Sequence, residues 1–410
     1  MIKLIGISIL IPIMVDRVIL IFTEKYQNYN FGKDHPLRPL RLKLTYSLME
    51  KLKLLDHNRL KLLKPQLATQ EEVERVHTPE YVEIVKKLSI NPEERILQPY
   101  LFGLGPGDNP IFKGMYEASA LICGASIIAV DTVWKNEEFK IAFNPAGGLH
   151  HAMSNRASGF CIFNDIGVAI GHLKKLQPDI RIAYLDIDCH HGDGVQWLFY
   201  DDPNVLTISY HQDGRTLFPG TGNINEIGEG EGKGFSINFP LLPGTSNRTF
   251  LNLFRKTAPK ILETYAPDIL ITQLGVDMHF KDPLTQMGLS ISVYRDIAQT
   301  MKTLAQLYCQ NKWVALGGGG YLMTVVPRAW TLFLAKMLDV DLRNELPHEW
   351  IKEVKETVLY EDAPYLLWDR GEKVEVQMLS HPEITKQVIE YTKSLIEISN
   401  ERYLPNLFKT

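Results

Sequence analysis

The chain has 410 residues, of which 45% are hydrophobic and 22% are charged, and its formal net charge is −4 at pH 7. These values are typical of a globular protein with an ample hydrophobic core. The small negative charge gives no sign of a surface built for nucleic acid or for a membrane, so we expect neither as a direct partner.

The N-terminus and the cysteines indicate the cellular compartment. Lys3 precedes an apolar stretch, residues 4–15, that resembles the start of a signal peptide, but no small-residue cleavage site follows it. Asp16 and Arg17 then interrupt the apolar run. None of the cysteines shows C-x-x-C spacing, and all lie in segments patterned as buried helix or strand: Cys123, Cys161, Cys189 and Cys309. We therefore expect a reduced, cytoplasmic protein.

Apolar runs rich in Val, Ile and Leu alternate along the chain with segments of helical periodicity. These runs predict buried strands at 18–22, 139–143, 181–187, 204–210, 267–276 and 312–316. Helices are predicted at 40–55, 70–88 (where a Thr69/Glu72 capping box is followed by a restart at Thr78-Pro79), 111–134, 246–264, 291–310, 325–338 and 382–399. The alternation predicts an α/β fold: a single domain with a central, mainly parallel β-sheet flanked by helices on both faces.

Gly- and Pro-rich stretches at 103–110 and 217–234 are predicted to be long loops, because patterned segments continue on both sides without a change in composition. The domain is predicted to span residues 18–385. Residues 1–17 would form an N-terminal extension of undefined role, and residues 386–410 a C-terminal helix and tail packed on the domain.

The segment LDIDCHHGDG, residues 185–194, places three aspartates and two histidines directly after an apolar run. If IAYLDID is a strand, Asp186, Asp188 and His190 alternate with apolar residues and point to one face. Carboxylates held close together are costly unless a cation or a proton neutralises them, so Asp188 and His190 are predicted to hold a divalent metal ion. The alternative is a buried Asp/His hydrogen-bond cluster.

Two further strands lead to polar residues at the same edge of the sheet. DILITQLGVD ends at Asp277, which would complete an Asp, His, Asp ligand set with positions open for water and substrate. Taken alone, Asp277 is better explained as a helix cap or turn residue. KWVALGGGG runs into Tyr321, but no Lys-Ser or Lys-Thr follows, so the phosphate-loop pattern fails. The glycines are predicted instead to let Tyr321 donate its phenolic proton to a developing oxyanion, with a packed tyrosine in a tight turn as the alternative.

Adjacent histidines, His150 and His151, follow the strand FKIAF and a glycine turn in NPAGGLHHA. The turn lets the backbone approach closely, which leaves both imidazoles near the metal ligands. A histidine with a near-neutral pKa can take a proton from water and return it to a leaving amine, provided that a carboxylate orients its second nitrogen. Asp186 and Asp193 are the available carboxylates. By themselves, adjacent histidines are more often surface or hydrogen-bonded core residues.

An ordered set of motifs resembles the histone deacetylase family over about residues 18–340, most closely its prokaryotic acetoin-utilisation branch. The motifs are NYNFGKDHPLRPLR, GDNPIFKGMYEAS, NPAGGLHHA, SGFCIFND, DIDCHHGDGVQ, FPGTG, QLGVDMHFKDPL and GGGGY. GDNP and DMHFKDPL favour the acetoin-utilisation branch. The resemblance implies an arginase/deacetylase-like fold, and it leaves residues 1–17 and the tail beyond about 345 unexplained.

The resemblance also implies a role for each motif. Zn²⁺, or alternatively Fe²⁺, would be bound by Asp188, His190 and Asp277. The catalytic group would comprise His150, His151, Asp186, Asp193 and Tyr321. Substrate would contact Asp108, otherwise a plain turn residue, together with Gly159, Phe160, Leu217 or Phe218, and Leu284. A structural K⁺ would contact Asp186, Asp188, His190, Ser209 and Tyr210.

The activity implied by the resemblance is removal of acetyl groups from N-acetyl-lysine of proteins, with release of acetate. An acetylated protein such as acetyl-CoA synthetase, a chromatin-like protein or an acetylated small molecule would be the substrate. The alternatives are an acetylpolyamine or other small-molecule amidohydrolase, and an arginase-like hydrolase, which would need further ligands around a second ion. From another class, an acyl-lysine binding module without turnover would retain the same pocket.

Overall fold

The computed structural model describes residues 17–93, 98–369 and 381–407, so the predicted N-terminal extension lies outside the described residues except for Arg17. The described residues form one eight-stranded sheet, with strands β1 Arg17–Ile21, β2 Leu60–Leu63, β3 Phe139–Asn144, β4 Ile182–Asp186, β5 Val205–Gln212, β6 Ser236–Leu241, β7 Ile269–Gln273 and β8 Trp313–Leu316. Their order is β2-β1-β3-β8-β7-β4-β5-β6, and every neighbouring pair is parallel. The predicted α/β fold is confirmed.

Helices connect the strands and form two packed groups, one around α4 and α5 and the other around α1, α9, α8 and α7. The helices are α1 Leu40–Lys51, α2 Gln70–Val73, α3 Pro79–Ile90, α4 Met115–Lys135, α5 Asp165–Leu176, α6 Asp193–Leu198, α7 Asn247–Tyr265, α8 Ile291–Tyr308, α9 Val326–Met337, α10 His348–Thr357, α11 Pro382–Ile398 and α12 Leu404–Leu407. The Thr69/Glu72 capping box is present, and Thr78 caps a new helix at Pro79. α11 packs against α7.

The register of the central strands aligns their carboxyl ends. Asp186 at the end of β4 pairs with Ser209 on one side and with Gln273, the last residue of β7, on the other. Gln273 in turn lies beside Leu316, which ends β8, and Leu316 beside Asn144, which ends β3. Because parallel strands deliver their carboxyl ends to one edge, the segments that follow all enter the same crevice.

Two central strands, β4 and β7, end earlier than the sequence pattern predicts. β4 ends at Asp186, so Asp188 and His190 project from the turn after it and not from the strand itself. β7 ends at Gln273, and Asp277 lies in the irregular segment that follows. Backbone released from the ladder can turn its side chains inward, which a strand with alternating faces cannot do for consecutive residues.

The hydrophobic core lies between the sheet and the two groups of helices. β4, β7 and β8 are buried along their whole length, as expected for parallel strands covered on both faces. One described helix, α4, is long and apolar enough to cross a membrane by length and composition, and 72% of the relevant window is buried inside the protein. All four cysteines are buried and unpaired.

Candidate active site

Two carboxylates and one imidazole converge at the carboxyl edge of β4 and β7. The Nδ1 atom of His190 lies 3.1 Å from Oδ1 of Asp188 and 2.9 Å from Oδ2 of Asp277. One potential ligand atom from each residue lies within 4.8 Å of the others, and all three residues are buried. These are the three residues predicted to bind the metal.

Hydrogen bonds from the surrounding residues orient the carboxylate oxygens of this cluster. The second oxygen of Asp188 accepts hydrogen bonds from Gln273 Nε2 (2.6 Å) and from the Gly319 amide (2.7 Å). Oδ1 of Asp277 accepts from the Cys189 amide at 2.7 Å. Each carboxylate is therefore held by one oxygen and presents the other to the cluster. A Cβ atom at Gly319 would lie 2.3 Å from Asp277 Oδ2, so only glycine fits there.

The charge balance of the cluster also favours a cation. Burial alone would lower the pKa of His190, but the Asp188 and Asp277 carboxylates outweigh it and raise that pKa to about 10. The site therefore stabilises positive charge at the point that both carboxylates face. Two carboxylates and one imidazole suit a divalent cation with open coordination positions.

The histidine pair lies beside the cluster, and each ring is oriented by its own carboxylate. His150 Nδ1 lies 2.7 Å from Asp186 Oδ2, and His151 Nδ1 lies 2.6 Å from Asp193 Oδ1. The two Nε2 atoms are 3.0 Å apart, and His150 Nε2 is 4.0 Å from Asp188 Oδ1. The structure thus brings the predicted dyad, its two carboxylates and the metal ligands together.

The two histidines have opposite pKa shifts. Burial would lower the pKa of His150, but the carboxylates of Asp186 and Asp188 outweigh it and raise that pKa to about 9. Burial, together with the neighbouring charge of His150, lowers the pKa of His151 to about 4 against the opposing effect of Asp193. At neutral pH, His150 therefore carries the charge, and His151 is the neutral ring that can accept a proton.

Tyr321, at the end of the glycine run, lines the same cavity as His150, His151 and Asp188. Its ring lies edge-on to His190, with centroids 6.4 Å apart, and to Phe160 at 5.7 Å. Burial and the carboxylates of Asp277 and Asp188 raise the pKa of the Tyr321 phenol well above its usual value. The phenol therefore keeps its proton at neutral pH and can act as a hydrogen-bond donor.

Two aromatic rings flank the approach to the cluster. Phe218, with 43% of its surface exposed, lies 5.1 Å from the His151 ring, and Phe160 lies beside Tyr321. Gly159 lies between them: a Cβ atom there would be 2.4 Å from His151 Cδ2 and 2.9 Å from Phe218 Cε1. The positive φ of Gly159 (+48°) adds a second reason for glycine. The predicted channel residues Gly159, Phe160 and Phe218 thus lie together.

The remaining predicted substrate residues are Asp108, Leu217 and Leu284, none of which lies in a helix or strand. Asp108 is exposed, and its backbone carbonyl accepts a hydrogen bond from His35 Nε2 at 3.2 Å. The His35 ring in turn contacts Phe160, with centroids 4.5 Å apart. Leu217 and Leu284 are half-buried, and the Leu284 amide donates to Asp282 at 3.0 Å. These residues lie in loops at the periphery of the site.

The predicted K⁺ ligands form a second group beneath the first. Asp186 and Ser209 are partners in the sheet, and the amide of Asp188 donates to Asp186 Oδ1 at 2.9 Å. The hydroxyl of Ser209 lies 2.8 Å from His211 Nδ1. The Tyr210 phenol instead bonds to Thr257 Oγ1 at 2.7 Å, on the side of α7. Only the backbone of Tyr210 therefore remains for an ion in this region.

Three buried polar residues support the site but were not predicted. Gln273 holds Asp188, as described above. Asp165 accepts from the Leu149 and Gly148 amides at 2.8 and 3.2 Å and so fixes the loop that carries the histidines. Arg41 donates to the Gly318 and Gly320 carbonyls at 2.6 and 3.2 Å. A charged or amide side chain within an otherwise apolar helix face or strand is the signal that could have identified Arg41 and Gln273.

Comparisons with known proteins match most of the chain. Residues 35–337 match the family model described as "Histone deacetylase domain". The acetoin utilization protein AcuC of Bacillus subtilis is 43% identical over 336 residues, covering 81% of this chain and 85% of that protein. The protein of the same name from Staphylococcus aureus strain MRSA252 is 37% identical over 339 residues, covering 82% of this chain and 85% of its own.

Solved structures agree with these sequence matches. The crystal structure of an HDAC homolog from Aquifex aeolicus has a TM-score of 0.78 at 30% identity, covering 92% of this chain and all of that one. A crystal structure of an HDAC homolog complexed with SAHA has a TM-score of 0.79 at the same identity and coverage. The resemblance seen in the sequence motifs is confirmed.

Proposed function

The chain belongs to the histone deacetylase family, and from that premise we propose that it is a metal-dependent hydrolase that removes acetyl groups from N-acetyl-lysine side chains of proteins and releases acetate. One observation carries the proposal: the Asp188, His190 and Asp277 cluster lies beside a neutral histidine and a protonated phenol, and both of these groups line one cavity with Asp188. That arrangement combines a cation site, a base and an acid around one point, as hydrolysis of an unactivated amide requires.

We propose that the cation is Zn²⁺, with Fe²⁺ as the alternative, held by Asp188, His190 and Asp277. When bound there, the ion supplies Lewis-acid polarisation of the acetyl carbonyl and of the attacking water. We also propose a structural K⁺ near Asp186, Asp188, His190, Ser209 and the backbone of Tyr210. The Asp188 backbone and the Ser209 hydroxyl belong to adjoining segments of the sheet edge, which supports this position.

The residues of the chain divide the proton transfers between them. His151 is neutral, so its imidazole takes a proton from water, while Asp193 holds its Nδ1–H at 2.6 Å. His150, charged and paired with Asp186, stabilises negative charge as it develops and fixes the orientation of its neighbour. Tyr321 donates a hydrogen bond to the carbonyl oxygen as it becomes an oxyanion. The proton on the His151 imidazole then passes to the leaving lysine amine.

The aromatic pair supports a long, unbranched substrate side chain. Phe160 and Phe218 flank the approach, and Gly159 leaves space between them. An acetylated lysine presents four methylene groups behind its amide, and two aromatic walls suit such a chain. We propose that Asp108, exposed on its loop, and Leu284 contact the substrate outside this passage.

Two small-molecule alternatives are separable from this proposal. An arginase-like site with two transition ions would need carboxylates free to bind the second ion, whereas Asp186 and Asp193 are each engaged by an imidazole. An acetylpolyamine would pass the same aromatic walls. Acetate release from an acetyl-lysine peptide and from N-acetylated spermidine distinguishes a protein substrate from a polyamine substrate. Faster turnover of the polyamine would overturn the protein-substrate proposal.

We propose a cytoplasmic enzyme with an acetylated protein as its partner, and acetyl-CoA synthetase is one candidate. We also propose that residues 18–385 form the domain, with residues 1–17 as an extension and residues 386–410 packed on it. Acetylated lysines compared in cells with and without the gene test the partner. Acetyl-CoA synthetase acetylation that is equal in both would exclude it.

A further inference from the structure

A second cavity, of about 820 Å³, lies outside the proposed active site. Its walls come from the turn after the histidine pair, from α6 and the residue that follows it, from α5, and from segments before α3 and α4; the lining includes Arg75, Leu101, Arg156, Lys174 and Trp197. None of these residues has a role in the hydrolysis described above. The volume lies within the range of cavities that bind small molecules.

The charge of this cavity is positive. Arg75, Arg156 and Lys174 line it, and no aspartate or glutamate is among its lining residues. Lys174 is already paired with Asp202, at 2.5 Å. Within the described part of the chain, neither arginine lies in an ion pair with a carboxylate. The two guanidinium groups therefore retain their capacity to bind an anion, in the forked geometry that suits phosphate and carboxylate.

Two successive hydrogen bonds orient the Arg75 side chain. Its Nη1 donates to His172 Nδ1 at 2.6 Å, and His172 Nε2 lies 2.8 Å from Asp131 Oδ1. The Nε atom of Arg75 is shielded from solvent and has no hydrogen-bond partner among the described residues. The hydrogen bond to His172 fixes the position of the Arg75 guanidinium group at the wall of the cavity.

The same cavity offers a flat apolar surface. Trp197 has 42% of its surface exposed and Leu101 60%, which is unusual for side chains of this size. Trp197 is held by Tyr200, with ring centroids 4.5 Å apart. An exposed indole beside two arginines can stack against a planar ring while the guanidinium groups bind the charged end of the same ligand.

We propose that this cavity is a binding site for an organic phosphate that carries a planar ring, the chemistry of a nucleotide. Arg75 and Arg156 bind the phosphate, and Trp197 stacks on the ring. The site adjoins the catalytic group through the chain itself, because Met153 follows His151 by two residues and Gly194 follows Asp193 directly. Binding of such a ligand in this cavity is compatible with the hydrolysis proposed above, because it adds no covalent step.

Isothermal titration calorimetry on the full-length protein measures binding at this site independently of catalytic turnover. The probes are AMP, which has both groups, and adenosine and inorganic phosphate, which have one each. We expect AMP to bind saturably with a Kd below ~1 mM, and each fragment to bind at least about tenfold more weakly. If inorganic phosphate binds as tightly as AMP, the stacking role of Trp197 is wrong; if adenosine does, the anion site is wrong.

Variants place the binding within the cavity. Arg156→Glu should weaken AMP binding by about tenfold to a hundredfold, because it removes a charged hydrogen-bond donor and adds repulsion. Trp197→Ala should weaken AMP more than inorganic phosphate. Arg248→Glu, the same charge change on the exposed face of α7, is the matched control and should bind AMP as the wild type does. Absence of saturable AMP binding to the wild type, or equal binding by Arg156→Glu, would overturn the proposal.

Discussion

The amino-terminal and carboxyl-terminal ends of the parallel strands form two edges of the sheet, called here the amino edge and the carboxyl edge. These two edges differ in how their charged side chains are buried and paired. At the amino edge, Arg17 and Glu138 form an ion pair whose side chains are 36% and 54% exposed. At the carboxyl edge, Asp186, Asp188 and Asp277 are at most 1% exposed and face imidazoles. Surface pairs contribute little to stability, whereas buried carboxylates are costly unless they are neutralised. The unfavourable free energy of burying carboxylates is therefore concentrated at the carboxyl edge, where the proposed metal site and the histidine pair lie.

The largest expected effect comes from a metal ligand. Asp277→Asn keeps the shape of the side chain and an oxygen for the Cys189 amide but removes the charge that faces His190. We expect turnover of an acetyl-lysine peptide to fall on the order of a thousandfold or more, because stabilisation worth several kcal/mol is lost. Glu138→Gln, the same change at the amino edge, is the control and should leave turnover unaltered. Comparable turnover in Asp277→Asn and wild type would contradict the metal assignment.

The next effect is on stability and depends on pH. His77 is buried with Nδ1 at 2.9 Å from the Met153 carbonyl and Nε2 accepting from the Asn164 amide, also at 2.9 Å, so it has no room for a second proton. Burial lowers its pKa from 6.5 to about 4. The unfolded chain binds the proton first, so this contribution is complete above pH 6.5 and is lost as pH falls toward 4, by roughly 3 kcal/mol.

Urea unfolding of the metal-free protein at several pH values measures this contribution. His77→Gln removes the titrating group, so the difference in unfolding free energy between wild type and variant should narrow from pH 7.5 to pH 4. His348→Gln, an exposed histidine at the start of α10, is the control and should run parallel to the wild type. A gap between His77→Gln and wild type that stays constant over this range would show that His77 does not titrate as proposed.

The next expected effect comes from removal of the Tyr321 hydroxyl at the carboxyl edge. Tyr321→Phe keeps the ring against Phe160 and His190 but removes the donor proposed for the oxyanion. We expect kcat to fall on the order of 100-fold with little change in stability, as for loss of one oxyanion donor. Tyr100→Phe, on an exposed tyrosine, should have wild-type kcat. An unchanged kcat in Tyr321→Phe would leave the ring with a packing role only.

The sequence alone predicted the carboxyl edge better than the rest of the fold. Local spacing identified Asp186, Asp188 and His190, because a cluster of acidic and imidazole side chains directly after an apolar run is visible without distant residues. The strand alternation assumed for them does not extend beyond Asp186. β2 was missed because its residues, LKLL, are partly exposed at the sheet edge, and β6 because it follows a Gly-rich loop and contains Pro240. α5, α6 and α10 were also absent from the predicted helices.

Contacts between distant residues could not be predicted from local pattern. Arg41 bonds to the backbone of the glycine run 277 positions later in the chain. This contact depends on the crossovers that bring separate strands to one edge. Asp165 holds a loop 16 positions earlier, within the long connection between β3 and α5, which has no regular pattern to predict it from. The position of the Tyr210 phenol, by contrast, follows from local pattern. Strand alternation places it on the face opposite its neighbour Ser209.

The smallest expected effect is at the amino edge, where it measures what an exposed pair contributes. Glu138→Gln removes the charge that faces Arg17 but leaves the guanidinium 4.9 Å from the centre of the Phe139 ring. We expect the free energy of unfolding to fall by no more than ~1 kcal/mol, because solvent screens the pair and ordering two side chains opposes the attraction. Thermal or urea unfolding at low and at ~1 M salt should show the difference from wild type shrinking as ionic strength rises. A larger, salt-independent loss would mean that the amino edge also contains buried electrostatic cost, and the contrast between the two edges would then fail.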